Sequence, residues 1–421
     1  MQLVVMDLIS LSHTSRDVQL VVFPLVLAAP SWFYQAYPTL SIDYTFHFRV
    51  GFGTVIRHLL RLKDIFRRVK ALERLSLDFT ELTIWFRQES IAAFDKALSG
   101  VLMLAAKKGC TELEVELRNP HYYCHVPLAL KLKRVAKSLM HSFVRETPRF
   151  KLTKVDTARS PGFPLDAYGR VTFLTIINSS TTLTSLSLDL NRERRDTLSS
   201  IKAPSLQSFA LKDEYLDGKV FGSFLSQHHN IKVLNVCGKV NSLPTKRGSE
   251  DLPRGLSVEL VCLEQLLCST ELLSYLLQNL DRCLPNLTEV TVTRLVPSSP
   301  YSTLNRELEK IRSQLDGIPL FGLRTYLNRG IVLRDFQDAD LVRKYVTRLE
   351  FEVYPWTEPS HLDQWSMFPN VNYIKVSAVR NYINPDLRRP LPSEKFRSRI
   401  AQYPGGVKVV VEDNVEGRNV L

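Results

Sequence analysis

The stretch Leu183-Thr184-Ser185-Leu186-Ser187-Leu188 decides how this chain is read. Apolar residues stand at its first, fourth and sixth positions. Leu186 and Leu188 alternate with serines, as the buried face of a β-strand requires. Leu183 stands three residues before Leu186, a spacing that suits a turn burying one more apolar residue as the strand begins. The phrase recurs as LERLSL at Leu72–Leu77, CTELEV at Cys110–Val115, LQSFAL at Leu206–Leu211, IKVLNV at Ile231–Val236, LTEVTV at Leu287–Val292, VTRLEF at Val346–Phe351 and VNYIKV at Val371–Val376. One copy would mean little, because any buried strand can show it. Eight copies, several introduced by a proline and a small polar residue (Pro204-Ser205, Pro285-Asn286, Pro369-Asn370), mark an internal repeat.

The middle apolar positions are Leu75, Leu113, Leu186, Phe209, Leu234, Val290, Leu349 and Ile374, and three of their intervals are 23, 25 and 25 residues. The wider intervals leave room for degenerate copies, for which Leu260–Leu263 and Leu320–Leu323 are candidates. Amphipathic stretches between the phrases read as helices. Thr54–Leu72 carries Val55, Leu59, Leu62, Ile65, Phe66 and Val69 on one face, and Ser90–Ala106, Leu128–Val144, Val258–Leu284, Leu304–Leu315 and Phe336–Val346 follow. Alternating strands and helices imply a parallel sheet flanked by helices. Period and phrase match irregular leucine-rich repeats, although only the Leu183 copy has the asparagine of that pattern, Asn191. The expected fold is therefore an α/β solenoid of irregular leucine-rich repeats, with a parallel sheet on the concave face, helices outside and an N-terminal helical cap. Residues 1–38 form the cap and 39–421 the repeats, with loop excursions near 159–166, 242–255, 297–303 and 381–393. The competing reading is an ordinary α/β domain with a mixed sheet.

At 421 residues, 44% hydrophobic and 23% charged, the composition is globular and excludes low-complexity, collagen-like and coiled-coil content. Six cysteines are too few for a disulfide scaffold. The apolar stretch Val18–Tyr34 falls short of a ~20-residue span and is broken by Pro24 and Pro30, and Asp7, Arg16 and Asp17 precede it rather than a basic leader. No membrane association and an intracellular location, cytoplasm or nucleus, are expected. The net charge is +12. The basic helix with Arg57, Arg61, Lys63, Arg67, Arg68 and Lys70, and a second with Lys131, Lys133, Arg134 and Lys137, lack the interleaved aromatic residues that stack bases, so they read as solvated faces rather than a nucleic-acid site.

No phosphate-binding loop, GxSxG, HExxH or CxxC occurs. Gly218-Lys219 lacks the preceding glycine of a phosphate loop. His121, Cys124 and His125, with Cys110 upstream and His141 downstream, are metal-ligating residue types. They lack paired ligand spacing and lie between Pro120 and Pro127, in a loop. His228-His229 reads as the end of a helix, where a cationic ring would favour the terminal carbonyls. No catalytic residue, metal or cofactor is expected.

The N-terminal residues Leu8-Ile9-Ser10-Leu11-Ser12-His13-Thr14-Ser15-Arg16, followed by Leu20-Val21-Val22-Phe23-Pro24-Leu25, resemble the second half of an F-box of the fungal type. In that family the box is followed by a strand, here Pro38–Ile42, and then by degenerate leucine-rich repeats. The family's opening Leu-Pro helix has no counterpart before Leu8. The resemblance implies a non-enzymatic substrate receptor of a cullin-type ubiquitin ligase. Leu8, Leu11, Leu20 and Pro24 would contact the adaptor subunit, and the repeat face would recognise a protein target. The exposed positions expected on that face are Ser76, Ser187, Ala210, Asn235, Thr291, Glu350 and Lys375. A repeat scaffold without the ligase, or an enzyme on an ordinary α/β fold, are the alternatives.

Overall fold

The computed structural model describes residues 39–46, 52–79, 88–116, 149–157, 167–190, 196–216, 218–240, 260–269, 284–294, 318–327, 340–353, 368–378 and 407–412, with isolated helical residues between 272 and 312 and at 395 and 398. Strands β1 (Thr39–Thr45), β2 (Ala71–Asp78), β3 (Glu112–Glu116), β4 (Lys154–Asp156), β5 (Ser185–Leu190), β6 (Ser208–Leu216), β7 (Val233–Val240), β8 (Gln265–Ser269), β9 (Glu289–Arg294), β10 (Leu320–Leu327), β11 (Arg348–Val353), β12 (Tyr373–Ala378) and β13 (Lys408–Glu412) make a 13-stranded sheet in sequence order. The described pairings, β1 to β5 and β7 to β13, are parallel. The helices are α1 (Phe52–Arg68), α2 (Gln88–Lys107), α3 (Ala167–Asn178), α4 (Asp196–Ser199), α5 (Gly218–Gln227) and α6 (Asp340–Tyr345). The protein is thus α/β with a parallel sheet.

The repeated phrase works as a turn, an anchor and a strand. Its first apolar residue closes a tight turn: Leu183 N–H donates to Ser180 O at 3.1 Å, Leu206 to Ala203 at 3.0 Å, Leu263 to Leu260 at 3.1 Å and Leu287 to Leu284 at 3.1 Å. Pro204 and Pro285 occupy the second turn position, where a fixed φ near −65° fits. The anchor residues Leu72, Cys110, Leu152, Leu183, Leu206, Ile231, Leu263 and Val346 are each at most 1% exposed. The residue after the anchor bonds the preceding repeat, as Thr184 N–H does to Thr153 O at 2.9 Å and Thr288 N–H to Glu264 O at 2.9 Å. Where that residue is threonine, its hydroxyl donates to the same carbonyl: Thr111 to Glu73 at 2.9 Å, Thr153 to Thr111 at 3.1 Å, Thr184 to Thr153 at 3.1 Å and Thr288 to Glu264 at 3.0 Å. The small polar residue before the anchor staples adjacent turns. Ser205 donates to Thr181 O at 2.8 Å, Asn286 to Val261 O at 2.7 Å and Asn370 to Lys344 O at 2.6 Å.

Three strands depart from the sequence reading. The copy around β4 has Leu152 before the strand and Val155 within it, but Thr157 follows in place of the third apolar residue, so its phrase went unseen. Val258–Leu284, expected to be helical, contains β8. Its phrase is Leu263, Leu266 and Cys268, and Leu266 pairs with Leu234 and Val290, three residues beyond the expected Leu263. In β10, Phe321 pairs with Val290 while Leu349 pairs with Leu323, so the repeats from β11 onward are displaced by two residues. The stretch Thr54–Leu72 stops being helical at Arg68, because Leu72 is the anchor of β2.

Contacts divide the chain into two units, 1–212 and 213–421, the boundary falling within β6. In the first, α1, α2 and α3 pack side by side. Val55, Leu59, Leu62, Ile65, Phe66 and Val69 of α1 and its end are buried with Leu75, Leu77, Leu98 and Val101. The Lys108 ammonium satisfies carbonyls beyond α1, reaching Val69 O at 2.7 Å. Gly109, at φ 84°, turns the chain out of α2 in the left-handed region open to glycine. Phe46 stacks on Phe79, whose ring meets Phe94 edge-on. Asp95, 0% exposed on α2, abuts α3 at Gly169, where any Cβ would collide with its carboxylate. In the second unit, Phe221, Phe224 and Leu225 of α5 and Leu341 and Val342 of α6 are buried, as are Leu234, Leu266, Val290, Phe321, Leu349 and Ile374 of the strands. Among the described residues no helix is long and apolar enough to cross a membrane.

Candidate interaction face

Parallel sheets are usually covered on both faces. Here the strands alternate: in β3, Leu113 and Val115 are buried while Glu112, Glu114 and Glu116 are half-buried. One face packs on the core and the other is lined by polar side chains, which makes that second face the candidate site.

In the first unit one register row on this face reads Asp43, Ser76, Glu114, Asp156 and Ser187 from β1 to β5. Two residues earlier on the strands lie Ser41, Arg74, Glu112, Lys154 and Ser185, and two residues later Thr45, Asp78 and Glu116. Acidic residues outnumber basic ones on this face although the chain as a whole is +12. Arg74 bridges strands to Glu114 at 3.2 Å and Glu112 at 3.8 Å, and Lys212 reaches Asp189 at 3.1 Å. The Arg74 pairs are half-exposed and each contributes little to stability, on the order of 0–1 kcal/mol, whereas the Asp189 carboxylate is buried.

The second unit balances its charges locally. One row reads Asn235, Leu267, Thr291, Gly322, Arg348, Tyr373 and Lys408. The Arg348 guanidinium crosses β10 to Glu289 on β9 at 3.2 Å, meets Glu350 on its own strand at 2.7 Å and lies 4.7 Å from the Tyr373 ring centroid. Charged hydrogen bonds and ring stacking together hold it in one position. Gly322 is required beneath this cluster, because a Cβ there would stand 2.7 Å from Thr291 Oγ1.

The expected face positions are only partly brought together. Ser76 and Ser187 share a row, as do Asn235 and Thr291. Glu350 and Lys375 pair with each other but lie two residues beyond the Thr291 row, whose members on β11 and β12 are Arg348 and Tyr373. Ser76 and Thr291, expected to be exposed, are 8% and 4% exposed, as short side chains between longer ones on neighbouring strands are. Ser187, Ala210, Asn235, Glu350 and Lys375 are half-buried. Arg74, Glu112, Lys154, Glu289 and Arg348 were missed. They occupy the third position of the phrase, on the same face as the fifth by strand alternation, so the signal was present.

On the opposite side of the first unit's sheet, α1 exposes Arg57, Arg61, Arg67 and Arg68 around an exposed Leu60. Arg67 pairs with Asp64 at 2.8 Å. Beneath them Tyr44 Oη lies 2.6 Å from His58 Nδ1. Burial, reinforced by Arg61 and Arg57, lowers the His58 pKa, and burial pushes Tyr44 up to about 12. His228 does follow the end of α5, but not as a cation. It is 3% exposed, stacks on Phe224 at 4.2 Å and sets Nδ1 2.7 Å from Phe224 O, and burial lowers its pKa. Cys110 is a core anchor whose thiol burial pushes up to about 12, far from a reactive thiolate. No group of three His, Cys, Asp or Glu residues arranged for a metal ion occurs among the described residues. Leu8, Leu11, Leu20 and Pro24, the His121, Cys124, His125 and His141 group, the second basic helix and the four loop excursions lie outside the described residues.

No family model and no curated protein sequence matches this chain.

Proposed function

We propose that this protein is a non-enzymatic interaction module built of irregular leucine-rich repeats, acting as an F-box-like substrate receptor of a cullin-type ubiquitin ligase. The observation that carries the interaction reading is the sheet itself. Strands added in sequence order, with buried and polar side chains alternating, line one face with polar groups while the other keeps the core. Such a face offers many contacts over a large area, the geometry suited to a macromolecular target. The ligase link rests on the F-box-like residues ahead of β1, with Leu8, Leu11, Leu20 and Pro24 as the adaptor contacts. Co-purification of the full chain with the adaptor subunit tests that link. A stable complex, lost in Leu20→Asp and retained in Lys375→Ala, is the expected result. No complex leaves a repeat scaffold without the ligase.

A further inference from the structure

We propose that this chain pairs with a second copy of itself through the outer edge of β13, the two strands running antiparallel about Val410. The inference goes beyond the interaction reading above and does not rest on it. The sheet ends at β13, which has β12 on one side and, among the described residues, no strand on the other. Lys408 N–H donates to Asn372 O at 2.9 Å. In a parallel ladder alternate residues turn both backbone groups to the same neighbour, so Val410 and Glu412 follow Lys408 towards β12. Val409 and Val411 turn their N–H and C=O groups to the outer edge. Such an edge is a template for another strand unless a bulge, a proline or a charge blunts it. The opposite edge of the sheet is blunted in this way: β1 breaks register between Leu40 and Ser41 and carries Asp43. β13 keeps unbroken register with β12 and holds three valines in a row.

The sequence of the strand selects the occupant. Lys408-Val409-Val410-Val411-Glu412 sets a base and an acid at equal distances from its centre. Antiparallel pairing of two copies about Val410 therefore brings Lys408 of each opposite Glu412 of the other, the favourable order for cross-strand charges. The same register sets Val409 of one copy opposite Val411 of the other. These are the residues whose backbone groups point outward, so each such pair exchanges both N–H···O bonds. Charge and backbone pattern agree on this one register. A slide of two residues in either direction leaves the charges of the strand unmatched, and parallel pairing in register would set lysine beside lysine. The faces agree too. Val409 and Val411 pair with Ile374 and Val376, both 0% exposed, so they stand on the core side of the sheet. A two-fold axis normal to the sheet then joins core side to core side, as an isologous contact requires. Val410 is a half-buried apolar residue that ends the polar row Ser269, Thr293, Arg324, Glu350 and Lys375, and the pairing sets it against Val410 of the second copy.

The paired strands are short, so the dimer is expected to be weak, with a Kd on the order of 10–100 µM. Sedimentation equilibrium of the full chain between about 1 and 300 µM reads this monomer–dimer balance. Lys408→Glu and Glu412→Lys should each weaken it roughly tenfold, because each sets like charges opposite one another on both sides of the axis. An equimolar mixture of these two variants should recover the dimer, since every charged pair between them is complementary. Val411→Pro removes an outward N–H and no bond to β12, so it should abolish the dimer while leaving thermal unfolding unaltered. Should that proline unfold the chain, the mixture of charge variants still decides. A chain that stays monomeric over the whole range overturns the proposal. So does a dimer indifferent to Lys408→Glu and Glu412→Lys, or a pair of variants that fails to recover on mixing.

Discussion

A methyl group at Gly322 has nowhere to go: its Cβ would stand 2.7 Å from Thr291 Oγ1, inside van der Waals contact. Gly322→Ala should therefore cost about 1–3 kcal/mol of unfolding free energy, as overpacking does. Thr291→Ala on that background should restore much of it. A double-mutant cycle in urea checks both values, and additive losses would contradict the contact. Two buried histidines make the fold sensitive to acid. His58 and His228 both have pKa values lowered by burial. The unfolded chain, near pKa 6.5, binds their protons more readily than the folded one. Stability from this source is complete above about pH 6.5 and is lost as pH falls through the lower folded values. Thermal unfolding should thus shift to lower temperature between about pH 7.5 and 5.5. His228→Phe should keep the packing against Phe224 while flattening part of that slope. Neither effect was legible beforehand. A glycine inside a strand and a histidine at a helix end reveal their neighbours only once register and burial are known.

At the scale of the element, what recurs is a turn, an anchor and a short strand, joined to the next copy by backbone and side-chain hydrogen bonds. The hydroxyls of Thr153 and Thr184 each add a second bond beside the backbone ladder. Thr153→Val should cost about 1 kcal/mol, the net worth of one such bond. Asn286→Ala should cost a similar amount, about 1 kcal/mol, by unfastening the turn before β9 from Val261 O. Urea midpoints with unchanged slopes verify these values, and no change in either variant would mean that water replaces the bonds. The anchors and strands were readable from the phrase because burial demands apolar residues at fixed offsets. β4 escaped because Thr157 takes the place of an apolar residue, with its hydroxyl donating to Ser187 O at 3.1 Å. β8 escaped because its leucine-rich flanks mimic helical periodicity, and four- to six-residue apolar runs do not distinguish strand from helix.

The molecule as a whole is a parallel sheet whose neighbours in space are neighbours in sequence, and it should lose structure locally. Leu113→Ala removes a buried side chain from β3 and should cost about 2–5 kcal/mol. Hydrogen exchange should accelerate most in β2, β3 and β4, and the change should fade before β11. Uniform acceleration would mean that the chain unfolds all at once. The α/β class with a parallel sheet was legible at this scale because eight imperfect copies reinforce one another. The polar face was legible only at every other position, because reading one site per repeat left out Arg74, Glu112 and Arg348, which share that face.

The displacement at β10 has a consequence for how such a chain can change length. Side chains on a strand obey odd and even, so moving a repeat by two positions leaves every leucine facing inward. The copies from β11 onward have taken such a step, with Leu349 beside Leu323 rather than Phe321. A duplicated or trimmed repeat can therefore drift along its neighbour in whole pairs and still be accepted. A drift of one would turn Leu349 and Phe351 out to water and bring Arg348 and Glu350 into the core. Parity, more than period, is the rule that this irregular array has to keep.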